Sequence, residues 1–283
     1  MVSKFINKLP LIFFLIGIFT CSFPLVSDMI QHFDQRNAIS TYKNSIEKED
    51  TEQLEEMLKK AEVYNNVLFQ TNGNYVANSV EILNEENYQN LLNQSDTGMM
   101  GSIEIPNINV DLPIYHGTDE DVLSNGIGHV MDSSLPIGGV NTRCLLTGHR
   151  GLPTSKLFTR LDELKKNDLF YIHVFGKTLA YQVDLIEVIE PEEVEKLDIV
   201  PGEDRVSLIT CTPYGVNTHR LVITGKRVPY KEKEKSEIKQ KIPSVREIAY
   251  TCLPLLFVGF SGYPIVKEKI RREKAKHEET KNS

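Results

Sequence analysis

Apolar and polar residues alternate in short runs between residues 101 and 228. Strand-like runs occur at 101–117, 143–148, 169–175, 179–190, 205–211 and 219–228, with a short helix or turn between them at 157–164. Period-two alternation is typical of strands that bury one face. Because many short strands are separated by turn signals, residues 101–230 are predicted to form a compact, mainly β domain built as a closed or nearly closed barrel.

The region in front of this domain has a helical pattern. Residues 44–70 and 84–94 carry apolar side chains three and four positions apart, and neither stretch contains Pro or Gly. This spacing places the apolar residues on one face of a helix. We therefore predict a helical N-terminal extension over 30–100.

Both ends of the chain contain an uncharged apolar run. Residues 9–26 are long enough for a signal-peptide core or a short membrane span, and no small-x-small cleavage site follows them. We predict an uncleaved anchor within 1–29. The second run, 248–266, is predicted to be a C-terminal transmembrane helix, since membrane helices tolerate its Pro and Gly residues; a buried core helix is the alternative.

Lysines decide the predicted orientation. Lys4 and Lys8 precede the first apolar run, which favours a cytoplasmic N-terminus. Two spans would return the basic tail 267–283 to the cytoplasm and place the barrel outside the cell membrane. The charged linker 231–247 is also Lys-rich, so the orientation depends on the first span. A net charge of −7 argues against a nucleic acid partner.

The cysteines suggest a reactive thiol. The chain has four, with no Cys-x-x-Cys pair, which is too few for a disulfide framework or a zinc site. Cys21 and Cys252 lie in the apolar runs. Of the other two, Cys211 follows the strand-like run 205–210 and precedes a turn, with Thr and Pro as neighbours. A free Cys is usually a buried small hydrophobe, but this position favours exposure.

A cysteine nucleophile needs a lowered thiol pKa or an adjacent base. His149 is the best candidate, since it directly follows a strand and lies between glycines in the sequence TGHRG. The alternatives are His116, His129, His173 and His219, of which His129, in a Gly-rich loop, is the strongest.

A cation is also placed near the thiol. Arg220 opens the next strand-like run, nine residues after Cys211, so the two are expected to lie side by side on neighbouring strands. Acyl transfer needs donors for a developing oxyanion, and a guanidinium offers a fixed fork of them. Alone, a strand Arg is usually a solvated surface residue.

Together these motifs resemble the sortase family. LLTGHRG, SLITC and HRLVITGKR carry the resemblance, which covers roughly 100–230, and the longer stretches TGHRGLPTSKLFTRLDELKKNDLFYI and CTPYGVNTHRLVITGKR are similar to the class C, pilus-assembling subgroup. The resemblance implies an eight-stranded sortase-type β-barrel, and the two flanking apolar segments fit the subgroup.

The resemblance also implies a reaction. Cys211 would attack the Thr–Gly bond of an LPxTG-like sorting signal and form a thioester. His149 would transfer protons, and Arg220 would stabilise the oxyanion. The acceptor would be a Lys amine of the next pilin, so the partners are pilins or surface proteins that bear a sorting signal, and the membrane. Thr210 is a further candidate for substrate contact, and no cofactor or metal is implied.

One feature of the subgroup is missing. Class C sortases usually have a lid anchored by an Asp-Pro-aromatic motif, and no Asp-Pro pair occurs in 75–105. Tyr88, Asp96 or Met99 could substitute, with nothing to select among them. Cys144 has no motif role and is predicted to be buried.

Other functions remain open at this stage. They are a housekeeping sortase that anchors proteins to cell-wall peptide, and a membrane-tethered scaffold without activity. A papain-like protease fits less well, because its Cys precedes its His in the chain.

Overall fold

The computed structural model describes residues 9–71, 80–94, 97–152 and 155–239, with single positions between 248 and 271. The chain divides into two compact units, one of 1–29 with 242–283 and one of 30–241. Among the helices described, none is both long and apolar enough to cross a membrane. The predicted anchors and their orientation stay predictions, and much of 248–283 lies outside the described residues.

Helices form the predicted N-terminal extension. They are α1 (Leu9–Lys48), α2 (Thr51–Thr71), α3 (Val80–Leu83) and α4 (Glu85–Asn90). In α2 the buried side chains recur at three- and four-residue intervals, at Leu58, Ala61, Tyr64, Asn65 and Leu68. The apolar ones belong to the same buried cluster as the barrel interior, so these helices share the barrel's core.

Eight strands close into a barrel. They are β1 (Met99–Ile105), β2 (Val110–His116), β3 (Ile127–His129), β4 (Thr142–Thr147), β5 (Leu169–Val174), β6 (Lys177–Ile189), β7 (Asp204–Thr212) and β8 (His219–Val228). Their order is β1-β2-β3-β4-β7-β8-β6-β5, and β5 pairs back to β1. The pairs β2–β3 and β4–β7 are parallel and the others antiparallel. The predicted fold class is confirmed.

Short helices lie between the strands and directly after β8. They are α5 (Glu120–Asn125), α6 (Glu232–Glu237) and the 3-10 segments Pro106–Ile108, Leu161–Glu163 and Pro191–Lys196. The segment Leu161–Glu163 lies within the short helix or turn predicted at 157–164.

Strand β7 has two differently buried faces. Val206 and Leu208 point into the main core, whereas Ile209 joins a second apolar cluster with Leu145 and Val222. Alternation along a strand puts these two sets on opposite faces. Ile209 and Cys211 therefore share the outer face of β7, and that face carries the site described next.

Candidate active site

Cys211 is the second-last residue of β7. Its thiol is free and partly exposed. In the antiparallel β7–β8 ladder, Cys211 is paired directly with Arg220. The two residues are thus neighbours on adjacent strands, as the short turn between them predicted.

His149 lies beside Cys211 on the side of β7 that faces β4, whereas Arg220 lies on the side that faces β8. Parallel pairing of β4 with β7 ends at Thr147 opposite Ile209. The backbone N–H of Gly148 donates to the Ile209 carbonyl over 3.1 Å, so the parallel pairing of the two segments continues one residue beyond the end of β4. His149, the next residue, comes level with Cys211. The structure therefore assembles Cys211, His149 and Arg220 on three adjacent strand ends.

Thr210 holds two of these strand ends together. The residue is 1 % exposed, and its hydroxyl donates to the Gly148 carbonyl over 2.7 Å. Thr210 faces the barrel interior, opposite to its neighbour Cys211. The predicted substrate contact is therefore corrected: Thr210 has no surface to offer a substrate, and it fixes the turn that carries His149.

A carboxylate lies beside the imidazole. Nε2 of His149 is 3.4 Å from an Oε of Glu120, which starts α5. The His149 side chain is 27 % exposed and that of Glu120 is 77 % exposed. Sequence patterns gave no sign of this pair, because it depends on how α5 packs next to the β4 end.

The guanidinium of Arg220 is held by its own turn. Nη1 donates to the carbonyls of Asn217 and His219, over 3.4 and 3.2 Å. Among the described residues, only Nη1 of this side chain has acceptors. The Nε–H and Nη2–H donors of Arg220 are thus available to an oxyanion formed at the neighbouring Cys211.

A second arginine, Arg150, forms hydrogen bonds with the end of β7 that carries Cys211. Arg150 is buried, and its Nη1 donates to the carbonyl oxygen of Cys211 over 3.4 Å and to Oγ1 of Thr212 over 3.1 Å. Its Nη2 pairs with the carboxylate of Asp162. Sequence reasoning included Arg150 in a motif but gave it no role.

Two of the competing histidines are core residues. His129 is fully buried, its Nε2 lies 2.9 Å from the Ser134 carbonyl, and its Nδ1 lies 3.0 Å from the Tyr88 hydroxyl. Burial lowers the pKa of His129 to about 4 and also lowers that of His116. Both are structural, and the alternative of His129 as catalytic base finds no support here.

The remaining histidines have other partners. His173 contacts Glu104 at 2.9 Å and Thr178 at 3.1 Å. His219 lies opposite Thr212 in the β7–β8 ladder, with Nε2 3.2 Å from Glu190. Its place next to Arg220 in the strand turns it to the other face.

The other candidates from the sequence are buried or outside the described residues. Cys144 is 2 % exposed, and burial raises the pKa of its thiol, which confirms the predicted buried, unreactive role. Tyr88 and Met99, named as possible lid anchors, lie in the core. Asp96 and part of the lid stretch 75–105 fall outside the described residues. In the part of the chain the structure describes, no group of His, Cys, Asp or Glu is placed to hold a metal ion.

Comparison with known proteins decides the family. The sortase domain family matches residues 103–228. Sortase C1 from Streptococcus agalactiae is similar in sequence and structure, at 42 % identity and a TM-score of 0.63, over 69 % of this chain and 100 % of that one. The chain belongs to the sortase family.

Other sortases agree with this assignment. Sortase C from Clostridium perfringens SM101 is 36 % identical, with a TM-score of 0.58, over 69 % of this chain and 99 % of that chain. Sortase D of Bacillus subtilis is 33 % identical over 131 residues, which is 45 % of this chain and 63 % of that protein. The chain therefore spans less than two thirds of that curated relative, and the two solved structures named above are sortase C proteins.

Proposed function

We propose that this sortase is a cysteine transpeptidase that cleaves a sorting signal and joins the new carboxyl end to an amine. One observation carries the proposal: the register places Cys211 between Arg220 on β8 and the His149 turn after β4. A nucleophile, a proton carrier and a permanent cation on three strand ends are the groups that acyl transfer through a thioester requires.

In the first step, the thiol proton of Cys211 passes to His149, and Sγ forms a bond to the carbonyl carbon of the Thr–Gly peptide in an LPxTG-like signal. The carbonyl oxygen becomes an oxyanion, next to the free donors of Arg220. The C–N bond then breaks, and His149 gives a proton to the leaving Gly amine. A thioester remains on Cys211, and the C-terminal part of the signal departs.

In the second step, an incoming amine attacks the thioester carbonyl. His149 accepts the proton that this amine loses, and Sγ leaves as the amide bond forms. The enzyme returns to its starting state, and one peptide bond has been exchanged for another. Because no bond is lost overall, the reaction needs neither a cofactor nor an energy source.

An apolar surface beside the site suits the first residues of such a signal. Ile189, Val194 and Leu197 are partly exposed and pack against the outer cluster that contains Ile209. They flank the same face of β7 on which Cys211 lies. Leu and Pro of an LPxTG-like peptide would be removed from water there, while the Thr carbonyl reaches the thiol.

The acceptor we propose is a pilin Lys amine. Sortase C of Streptococcus pneumoniae, linked to pilin substrate specificity, is 39 % identical with a TM-score of 0.58, over 69 % of this chain and 97 % of that chain. A housekeeping role in anchoring proteins to cell-wall peptide is the second candidate. The relatives are not all sortase C proteins: sortase A of S. agalactiae is 33 % identical over 44 % of this chain and 51 % of that protein, so both acceptors are tested.

The proposed location is the outer face of the cell membrane. The apolar run 9–26 behind Lys4 and Lys8 supports an N-terminal anchor with the barrel outside. Sorting signals and wall precursors would meet the enzyme on that side.

Mass spectrometry of the enzyme with an LPxTG-type peptide tests the reaction. We expect an acyl adduct on Cys211 in the wild-type protein and in Cys144→Ala, and none in Cys211→Ala. A wild-type enzyme without an adduct would contradict the proposal and leave the scaffold alternative. With purified pilin, a ladder of polymers supports the pilin acceptor, whereas transfer only to wall peptide supports the housekeeping role.

A further inference from the structure

Arg150 is a buried charge directly after the proton-transfer residue in the chain. Its side chain is only 3 % exposed. A charge removed from water is costly unless its partners compensate it. The partners that compensate the charge of Arg150 therefore show which parts of the structure this residue stabilises.

Those contacts join four separate segments. Nη1 binds the Cys211 carbonyl and the Thr212 hydroxyl at the end of β7, while Nη2 pairs with Asp162 in the 3-10 segment Leu161–Glu163. The guanidinium carbon lies 5.8 Å from the ring centre of Tyr214, in the β7–β8 turn. The fourth segment is the β4 end, which carries Arg150 itself.

The next residue keeps this arrangement close-packed. Gly151 has a φ of +82°, and a Cβ at this position would come within 2.9 Å of the Tyr214 ring. Only glycine combines that backbone conformation with so close an approach. The turn that carries His149 and Arg150 is therefore packed directly against the β7–β8 turn.

We propose that Arg150 is a positioning residue that sets the placement of His149 relative to Cys211. It follows His149 in the chain and holds the carbonyl of the nucleophile itself, so neither strand end can shift without breaking its bonds. This inference rests on the proposed transpeptidase function. Arg150 binds backbone and hydroxyl groups and contacts no reacting atom, so it acts through the two residues that do.

The planar fork of Arg150 is essential to this role. Nη1 donates to two acceptors on β7, and Nη2 of the same rigid group pairs with the Asp162 carboxylate. A Lys ammonium keeps the charge but is a single point without that geometry. Misplacing reacting groups by about 1 Å can cost roughly 100-fold in rate.

Arg150→Lys tests the proposal, and Arg160→Lys is its matched control. Arg160 is similarly buried, pairs with Glu163 at 2.8 Å and donates to the Ile108 carbonyl over 3.3 Å. Both variants of the full chain are compared for kcat and KM with a sorting-signal peptide, well below their melting temperatures. We expect kcat of Arg150→Lys to fall roughly 30- to 100-fold with KM within about 3-fold, and kcat of Arg160→Lys to stay within about 2-fold.

Equal kcat values for wild type and Arg150→Lys, or equal losses in both variants, would overturn the inference. If Arg150→Lys does not fold, Asp162→Asn replaces it: it keeps the guanidinium but loosens its anchor, and a kcat loss of at least about 5-fold is expected. An unchanged kcat in Asp162→Asn then counts against Arg150.

A separate measurement distinguishes failure of this inference from failure of the proposed function. If wild type forms no thioester, the transpeptidase proposal fails, but the pH profile of Cys211 alkylation by iodoacetamide still reports on the nearby imidazole. We expect that profile to move in Arg150→Lys and not in Arg160→Lys. Identical profiles in all three proteins would show that Arg150 does not position His149.

Discussion

Cys211 and Arg220 are direct partners in the antiparallel ladder between β7 and β8. The pairing comes from backbone hydrogen bonds, so the two backbone positions are set before any substrate arrives, and the bonds from Nη1 of Arg220 to the Asn217 and His219 carbonyls restrain its guanidinium. This preorganisation is the property that makes charged donors effective at a developing oxyanion.

Replacing Arg220 tests the geometry of that donor. Arg220→Lys keeps the charge but loses the fork, and we expect kcat for a sorting-signal peptide to fall by roughly 100-fold, in the range found when one oxyanion donor is removed. Steady-state kinetics measure this. Lys226→Arg on the same strand serves as the control, since its side chain is exposed and pairs with Glu203. Wild-type kcat in Arg220→Lys would rule out the fork as the oxyanion donor.

His129 makes stability depend on pH. Its folded-state pKa is about 4, below the roughly 6.5 of an unfolded chain. Since the neutral form is favoured by folding, its contribution is fully present above about pH 6.5 and is lost as pH falls towards 4. We expect acidification from pH 7 to 4.5 to lower the free energy of unfolding by up to about 3 kcal/mol from this group.

Urea unfolding at several pH values measures this effect. His129→Gln cannot titrate, so it is expected to be less stable than wild type at pH 7 but to lose less on acidification. His173→Gln, at a half-buried position, is the comparison. Parallel pH profiles for wild type and His129→Gln would show that His129 is not responsible.

Glu120 near His149 is expected to matter little. The pair is 3.4 Å apart and the carboxylate is largely exposed, and exposed ion pairs contribute about 0–1 kcal/mol. Glu120→Gln should therefore change kcat by less than about 5-fold, and the difference should shrink at 1 M salt. A loss of 100-fold would instead identify Glu120 as an essential partner of the imidazole.

The Thr210 hydroxyl is predicted to stabilise the turn that carries His149. Thr210→Val removes its bond to the Gly148 carbonyl with little change in shape, and we expect a loss of about 1–3 kcal/mol in the free energy of unfolding. Thr210→Ser keeps the hydroxyl and should lose less. If Thr210→Val raises KM and leaves stability unchanged, Thr210 touches substrate after all.

Much of the barrel could be predicted because successive side chains of its strands point alternately into the barrel core and to its outer face. Strand β3 was not predicted, because three residues are too short to show a period, and β1 and β2 were predicted as a single run over 101–117. The short helices α5 and α6 were not predicted either. Alternation could also have placed Thr210 correctly, since neighbours in a strand face opposite sides.

The three central residues of the site were predicted from motifs, but their supporting contacts were not. Asp162, which pairs with Arg150, is twelve residues away from it in the sequence. The Cys211 carbonyl, which accepts a hydrogen bond from Arg150, is sixty-one residues away. Such contacts depend on how turns from different strands pack together, which neither periodicity nor a local motif encodes.

The shared core of helices and barrel limits how the enzyme can be shortened. Ile39 and Tyr42 of α1 and Tyr64 of α2 lie in the same apolar cluster as the barrel strands, and the Tyr42 hydroxyl donates to the Met100 carbonyl over 2.9 Å. Cutting the chain just before β1 would expose to water the apolar side chains of this cluster that the helices bury. A minimal, independently folding enzyme must therefore begin before Ile39, well upstream of the first strand.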